Sequence, residues 1–304
     1  MRLLPAIRSM RLRTLPLSLA GVVCGTLLAV AGGHAVGGAT VALLMFTTVC
    51  LQVLSNLSNE LGDYLSGTDG DERQGPQYSV AQGALSERGL RGLIRLFVVL
   101  CLVSGGLMTW AAFGTLWALE PVAVLLLGGA AVWAAVHYTL GANPYGYRGW
   151  GDLFVFIFFG LVSTLGGYYV VSTALPPTAV MLPAAAIGFF SIGVLNVNNI
   201  RDMATDAGTR MTIPLRIGER RAKIYHTCLI AAGWLSLLAY SFIMPTRCCW
   251  VAYLYCIMLP VYVVHVRGVW RHTARALDPM LPMLVIATFL LSILLGVGQI
   301  VASV

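Results

Sequence analysis

Two stretches of the chain place carboxylates and carboxamides where they could share a ligand. In Asn198-Asn-Ile-Arg-Asp-Met-Ala-Thr-Asp206, the residues Asn198, Asp202 and Asp206 recur at i, i+4 and i+8, the spacing of one helix face. In Asn59-Glu-Leu-Gly-Asp63, which runs on to Asp69 and Asp71, Asn59 and Asp63 are again four apart. Each motif closes a long apolar run, where an acid is expected only if something cationic meets it. Carboxylates about 4 Å apart repel by about 4 kcal/mol at an effective dielectric near 20, so gathering Asp63, Asp69, Asp202 and Asp206 without a cation is costly. Magnesium relieves that repulsion: it takes hard oxygen ligands and bridges one or two carboxylates to phosphates. The negative ends of two helix dipoles favour it further. The chemistry implied is a diphosphate held through Mg2+, with arginines such as Arg73, Arg148 and Arg201 on its free oxygens. The plainer alternative is that both motifs are solvated helix ends.

The elements that must position these motifs are membrane spans. The 304 residues are 58% hydrophobic and only 10% charged, whereas soluble domains carry about 25% charged residues. Nine apolar runs are long enough to cross a bilayer: about 14–33, 38–58, 93–114, 117–140, 152–173, 179–199, 225–244, 249–266 and 281–302. The expectation is an all-α polytopic protein, one transmembrane domain over residues 1–304, with a basic amphipathic opening retained ahead of the first span. Of the 19 basic residues, all but Arg247 fall on the amino-terminal side of this arrangement. The positive-inside rule then puts the amino terminus in the cytoplasm and the carboxyl terminus outside. The net charge of +7 therefore reports topology, and no soluble basic surface is left for nucleic acid. The seven cysteines form no CxxC pair and read as small buried apolar residues.

The acidic motifs close the second and sixth spans, four helices apart. Two quasi-repeated four-helix halves with a ninth helix appended would bring the acidic ends face to face across a central cavity. Gly67 follows the first motif and is placed to end its helix. Between the fourth and fifth spans, Tyr145-Gly-Tyr147-Arg148-Gly149-Trp150-Gly151-Asp152 is either a substrate loop or an interfacial aromatic belt. Arg13, just ahead of the first span, is either a membrane anchor or a group aimed at an anionic substrate.

Gly62-Asp63…Gly67-Thr-Asp69…Arg73-Gln-Gly75-Pro76, the Tyr145–Asp152 segment and Asn198-Asn-Ile-Arg201-Asp202 together resemble the paired aspartate-rich motifs of the UbiA superfamily of intramembrane prenyltransferases. Within it they look most like the 1,4-dihydroxy-2-naphthoate polyprenyltransferases of menaquinone synthesis. The likeness runs from about Arg11 to Gly218 and more loosely beyond. Two positions depart from the pattern. Glu60 stands where the family usually has Asp, and Arg210-Met-Thr212 replaces a lysine-containing stretch.

The resemblance implies a magnesium-dependent prenyl transfer in the cell (inner) membrane. Asn59, Asp63, Asp69, Asn198, Asp202 and Asp206 would hold Mg2+ and the diphosphate of a polyprenyl donor, with Arg73, Asn199, Arg201 and Arg210 on the donor. An allylic cation would form in an apolar, aromatic pocket, and the naphthoate ring would attack it as its carboxylate leaves as carbon dioxide. Arg148, Arg13, Tyr145 and Tyr147 would orient the substrates. The alternatives are another aromatic acceptor (4-hydroxybenzoate or homogentisate), haem, or a secondary transporter, which would place its ionisable groups nearer the midplane.

Overall fold

A computed structural model of the chain describes residues 3–67, 79–244 and 250–303. Among the described residues there are no strands, and nine helices are long and apolar enough to cross a membrane. The short α1 (Leu3–Ser9) and a 3-10 turn lead into α2 (Leu15–Ala31), with Pro16 in its first turn, where a missing N–H costs nothing. Then come α3 (Gly38–Leu65), α4 (Glu87–Phe113) and α5 (Leu119–His137). The fifth crossing is composite: α6 (Gly151–Val155), a π-helical stretch Phe156–Val162, and α7 (Ser163–Ser172). The sixth is α8 (Met181–Arg201), followed by the short α9 (Met203–Asp206) and α10 (Ile213–Ile217). The remaining crossings are α11 (Glu219–Ile243), a 3-10 stretch running into α12 (Leu259–Arg271), and α13 (Met280–Ser303).

Every apolar run in the sequence corresponds to one crossing, but several helices outrun their apolar segments at one end of the bundle. α3 continues past the run ending at 58 to Leu65, α4 begins at Glu87 ahead of 93, and α11 begins at Glu219 ahead of 225. Hydropathy marks only the part of a helix that needs an apolar surround, whereas backbone hydrogen bonding continues into the polar turns. As expected, Gly67 takes the left-handed conformation (φ 73°) just past the end of α3.

One expectation is corrected. Asn198, Asp202 and Asp206 do not lie on one continuous helix face, because α8 ends at Arg201 and Asp202 adopts φ −95°, ψ 8°. The guanidinium of Arg201 grips both carboxylate oxygens of its own neighbour, at 2.8 and 2.7 Å. That grip accompanies the break, although the Asp206 N–H still donates to the Asp202 carbonyl at 2.9 Å.

Close backbone approaches knit the bundle. A Cβ added to Gly25 of α2 would lie 2.1 Å from the carbonyl oxygen of Thr164, and one on Gly160 would lie 2.6 Å from Cα of Gly188 in α8. α2 packs on both α7 and α13, α3 on α4, and α8 on α11. Between them lies a central cavity of about 470 Å³, walled by α2, α3, α4, α5, the fifth crossing, α8 and α13. The amino-terminal segment is fastened beside it. Ser9 donates to Oε1 of the fully buried Glu60 at 3.1 Å, the Val80 N–H donates to the same oxygen at 3.2 Å, and Ser79 donates to the Pro5 carbonyl at 2.9 Å.

Candidate active site

The cavity is mostly apolar, with scattered polar groups such as Thr47, Gln52 and Ser191, and its charged residues gather where α3 and α8 end. At that end it is lined by Arg13, Asn59, Asp63, Tyr145, Asn198, Asn199, Arg201 and Arg210. Asp63 is buried on the last turns of α3. Its Oδ1 accepts a hydrogen bond from the Tyr147 hydroxyl at 2.9 Å and faces Nη1 of Arg210 at 3.7 Å. Nη2 of Arg210 pairs with Asp206 at 2.7 Å, and the guanidinium stands 5.8 Å from the centre of the Tyr147 ring. One arginine thus spans an acid from each motif, and the sequence-predicted pairing of the two motifs is realised through it.

A second cluster sits beside the first. Besides clamping Asp202, Arg201 donates from Nη2 to Oδ1 of Asn198 at 2.8 Å and from Nη1 to Asp278 at 2.7 Å. Asp278 also faces Arg13 at 4.0 Å. Asn59 is held from below, its Oδ1 accepting from the Thr139 hydroxyl at 3.2 Å. Gly62 makes room for that contact, since a Cβ there would lie 2.5 Å from the Thr139 Cβ.

Not every residue singled out by sequence faces the cavity. Asp202, Asp206, Tyr147 and Arg148 are outside its lining. Arg148 is exposed, hydrogen-bonded to Asn143, and its carbonyl accepts from Arg216 at 3.1 Å. Asp69 and Arg73 lie outside the described residues. Sequence reasoning missed Asp278, Thr139 and Tyr138. Asp278 lies just ahead of the ninth apolar run, and Thr139 and Tyr138 close the fourth.

Burial sets the electrostatics. It raises the Asp206 carboxyl to about 6, against the lowering pull of Arg210. Burial alone would lower Arg210, but Asp63 and Asp206 outweigh it and push its pKa higher. The Tyr138 hydroxyl rises to about 12, chiefly through burial, and Tyr147 rises through burial and the neighbouring Asp63. At neutral pH the Tyr138 and Tyr147 hydroxyls are therefore protonated and Arg210 keeps its charge.

The donor atoms suit a hard divalent cation, being carboxylate and carboxamide oxygens throughout. Among the described residues no three acidic, histidine or cysteine side chains already converge as a ligand set. Asp63, Asp202 and Asp206 are instead each paired with an arginine. Beyond the polar end, the cavity wall carries Tyr145, Phe154 and Phe158 in a column, with ring centroids 3.9 and 6.2 Å apart. π faces of this kind stabilise a cation.

Residues 18–298 match the model of the UbiA prenyltransferase family. A 1,4-dihydroxy-2-naphthoate octaprenyltransferase of Escherichia coli (strain K12) is 37% identical over 96% of this chain and 94% of its own length. One from Haemophilus influenzae is 35% identical over the same shares. Among solved structures, a UbiA homolog from Aeropyrum pernix K1 superposes with a TM-score of 0.66 at 17% identity, covering 96% of this chain and 98% of that one. A homolog from Archaeoglobus fulgidus bound to GPP and Mg2+ gives 0.62 at 17% identity, covering 93% and 99%. An acid–arginine end on an apolar, aromatic-walled cavity, a multi-pass helical fold shared with these structures, and a family match over nearly the whole length lead to one conclusion: this chain is a member of the UbiA prenyltransferase family.

Proposed function

We propose that the protein transfers a polyprenyl group from a polyprenyl diphosphate to 1,4-dihydroxy-2-naphthoate with loss of carbon dioxide, giving demethylmenaquinone in menaquinone biosynthesis. The observation that carries this reading is the cavity itself, which joins two acid–arginine clusters to an apolar chamber with an aromatic wall. The acceptor is favoured by the names of the full-length bacterial relatives. One transmembrane domain carries the reaction in the cell inner membrane, with the amino terminus and both acidic motifs cytoplasmic and the carboxyl terminus outside.

Asn59, Asp63, Asn198, Asp202 and Asp206, joined by Asp69, would hold Mg2+, which supplies charge withdrawal from the departing diphosphate. Arg201 and Arg210, now on carboxylates, are the groups that diphosphate oxygens would draw away, so that acids and arginines exchange one another for metal and phosphate. Asn199 and Arg73 complete the donor contacts. Tyr147 orients Asp63 through the hydrogen bond from its hydroxyl to Oδ1. Tyr145, Phe154 and Phe158 face the developing allylic cation. Water is kept out by the apolar walls, so the aromatic ring is the available nucleophile. Arg13 and Arg148 lie at the edge of the site and orient the acceptor carboxylate.

The test uses purified protein in detergent, offered a polyprenyl diphosphate with dihydroxynaphthoate, 4-hydroxybenzoate or homogentisate, and products identified by mass. Prenylated, decarboxylated naphthoate formed only with Mg2+ is the expected result. Asp63→Asn and Asp202→Asn should each remove most turnover, and the double variant should be scarcely worse than either, as for residues acting on one step. A product from another acceptor, or normal turnover in either variant, overturns the assignment.

A further inference from the structure

A second, separate cavity touches Arg210. It holds about 10 Å³ and is lined by Tyr138, Asp152, Asn199, Arg210 and Thr212 together with the glycine-rich loop ahead of α6. That volume is roughly the room one water molecule needs. Two of its polar wall atoms, Nε of Arg210 and Oγ1 of Thr212, are buried without a protein hydrogen-bond partner, and Thr212 is only 5% exposed. Buried donors left unpaired are costly and correspondingly rare. The opposite chemistry is also present. Asp152 uses Oδ2 to accept from the Tyr225 hydroxyl at 2.8 Å, which leaves carboxylate lone pairs for a further donor. The loop comes close enough to shape the space only because it lacks side chains. A Cβ on Gly151 would lie 2.8 Å from the Tyr138 hydroxyl, and one on Gly146 would lie 2.7 Å from the Tyr138 carbonyl.

We infer that this cavity binds one ordered water that accepts hydrogen bonds from Arg210 Nε and the Thr212 hydroxyl and donates to Asp152 and the Asn199 carboxamide, making Asp152 and Thr212 positioning residues for Arg210. A water offers two hydrogens and two lone pairs, which matches two donors and two acceptors on the walls. The guanidinium is then fixed at three points: Nη1 toward Asp63, Nη2 on Asp206, and Nε on the water. Three points define the plane of the fork, so its two outer nitrogens are held in place before any substrate arrives. Asp152 places a negative charge behind Arg210 without itself reaching the reacting groups.

This inference rests on the reading of Arg210 as a diphosphate-binding group, and the experiment separates the two. The affinity of the intact protein in detergent for geranyl S-thiolodiphosphate with Mg2+ is measured by calorimetry. Thr212→Val and Asp152→Asn are each made in the native chain and in Arg210→Lys, which lacks Nε. In the native background each should weaken binding roughly tenfold, the scale of a hydrogen bond to a charged group. In the Arg210→Lys background each should change it less than twofold. Equal weakening in both backgrounds, no weakening in the native one, or a lowered thermal midpoint with unchanged affinity overturns the water bridge. Thr212→Val preserves shape and carries the test should Asp152→Asn fail to fold. Wild-type affinity in Arg210→Lys alone removes Arg210 from the diphosphate site and takes the positioning role with it, an outcome read from its own arm.

Discussion

Replacing Arg210 by glutamine should make the protein's stability respond to magnesium alone. In the native chain Arg210 is 2.7 Å from Asp206 and 3.7 Å from Asp63, with its side chain 11% exposed and the two acids 1% and 5%. At an effective dielectric near 20 these attractions are about 6 and 4.5 kcal/mol before desolvation is counted. Glutamine removes the positive charge facing both buried carboxylates while Tyr147 still donates to Asp63, and breaking a buried ion pair in this way costs about 3–5 kcal/mol net. For a chain of this length that corresponds to a fall of roughly 5–10 °C in the thermal midpoint. The freed acids are then open to a cation. Magnesium at ten times its dissociation constant should restore about 1.4 kcal/mol, a partial recovery of a few degrees. The native protein, whose acids are already neutralised, should shift little with magnesium and more when a diphosphate accompanies it. Thermal unfolding followed by tryptophan fluorescence, with and without magnesium, reads all of this directly. A variant that melts like the native protein, or one that melts early but ignores magnesium, refutes the idea that Arg210 occupies the cation's place.

Two further expectations follow from burial and topology. Asp206 has its pKa raised to about 6, against about 3.9 in an unfolded chain, so between those values the folded state binds more protons than the unfolded one. Its contribution to stability is therefore most favourable below pH 4 and declines, by at most about 3 kcal/mol, as pH rises to 6. The difference in thermal midpoint between native protein and Asp206→Asn should follow that slope, and a difference independent of pH would show that Asp206 is not held in this environment. Single cysteines at the exposed positions Ala81 and Thr178, in a background stripped of native cysteines, should label from opposite sides of the membrane. Labelling from one side contradicts the nine-crossing orientation.

The crossings were legible because each must present an apolar surface over a fixed length, a constraint written residue by residue. So were some of the polar positions, since Asn59, Asp63 and Asn198 sit near the ends of α3 and α8. The partners were not. Asp278 reaches Arg201 across a separation of 77 residues, and no local period announces it. His226 and His265, each alone in its own span by sequence, meet with Nε2 atoms 3.0 Å apart in the core, away from the cavity lining. The break at Asp202 was equally hidden, because its local sequence gives a helix no reason to stop. Arg210 proves to be the bridge between the two motifs, a role that depends on the branched reach of a guanidinium.

Glu60 is not among the residues that line the cavity. It receives a hydroxyl from the first helix and a backbone N–H from the chain returning at Val80, three residues before Asp63 on the same helix. It works as a rivet through three layers: the amino-terminal helix, the returning segment and the floor of the site. Movement in either outer layer is thereby transmitted to the turn that bears Asp63. Shortening the rivet by one carbon, as Glu60→Asp would do, would have to be matched by an inward step of Ser9 and Val80 to keep both hydrogen bonds.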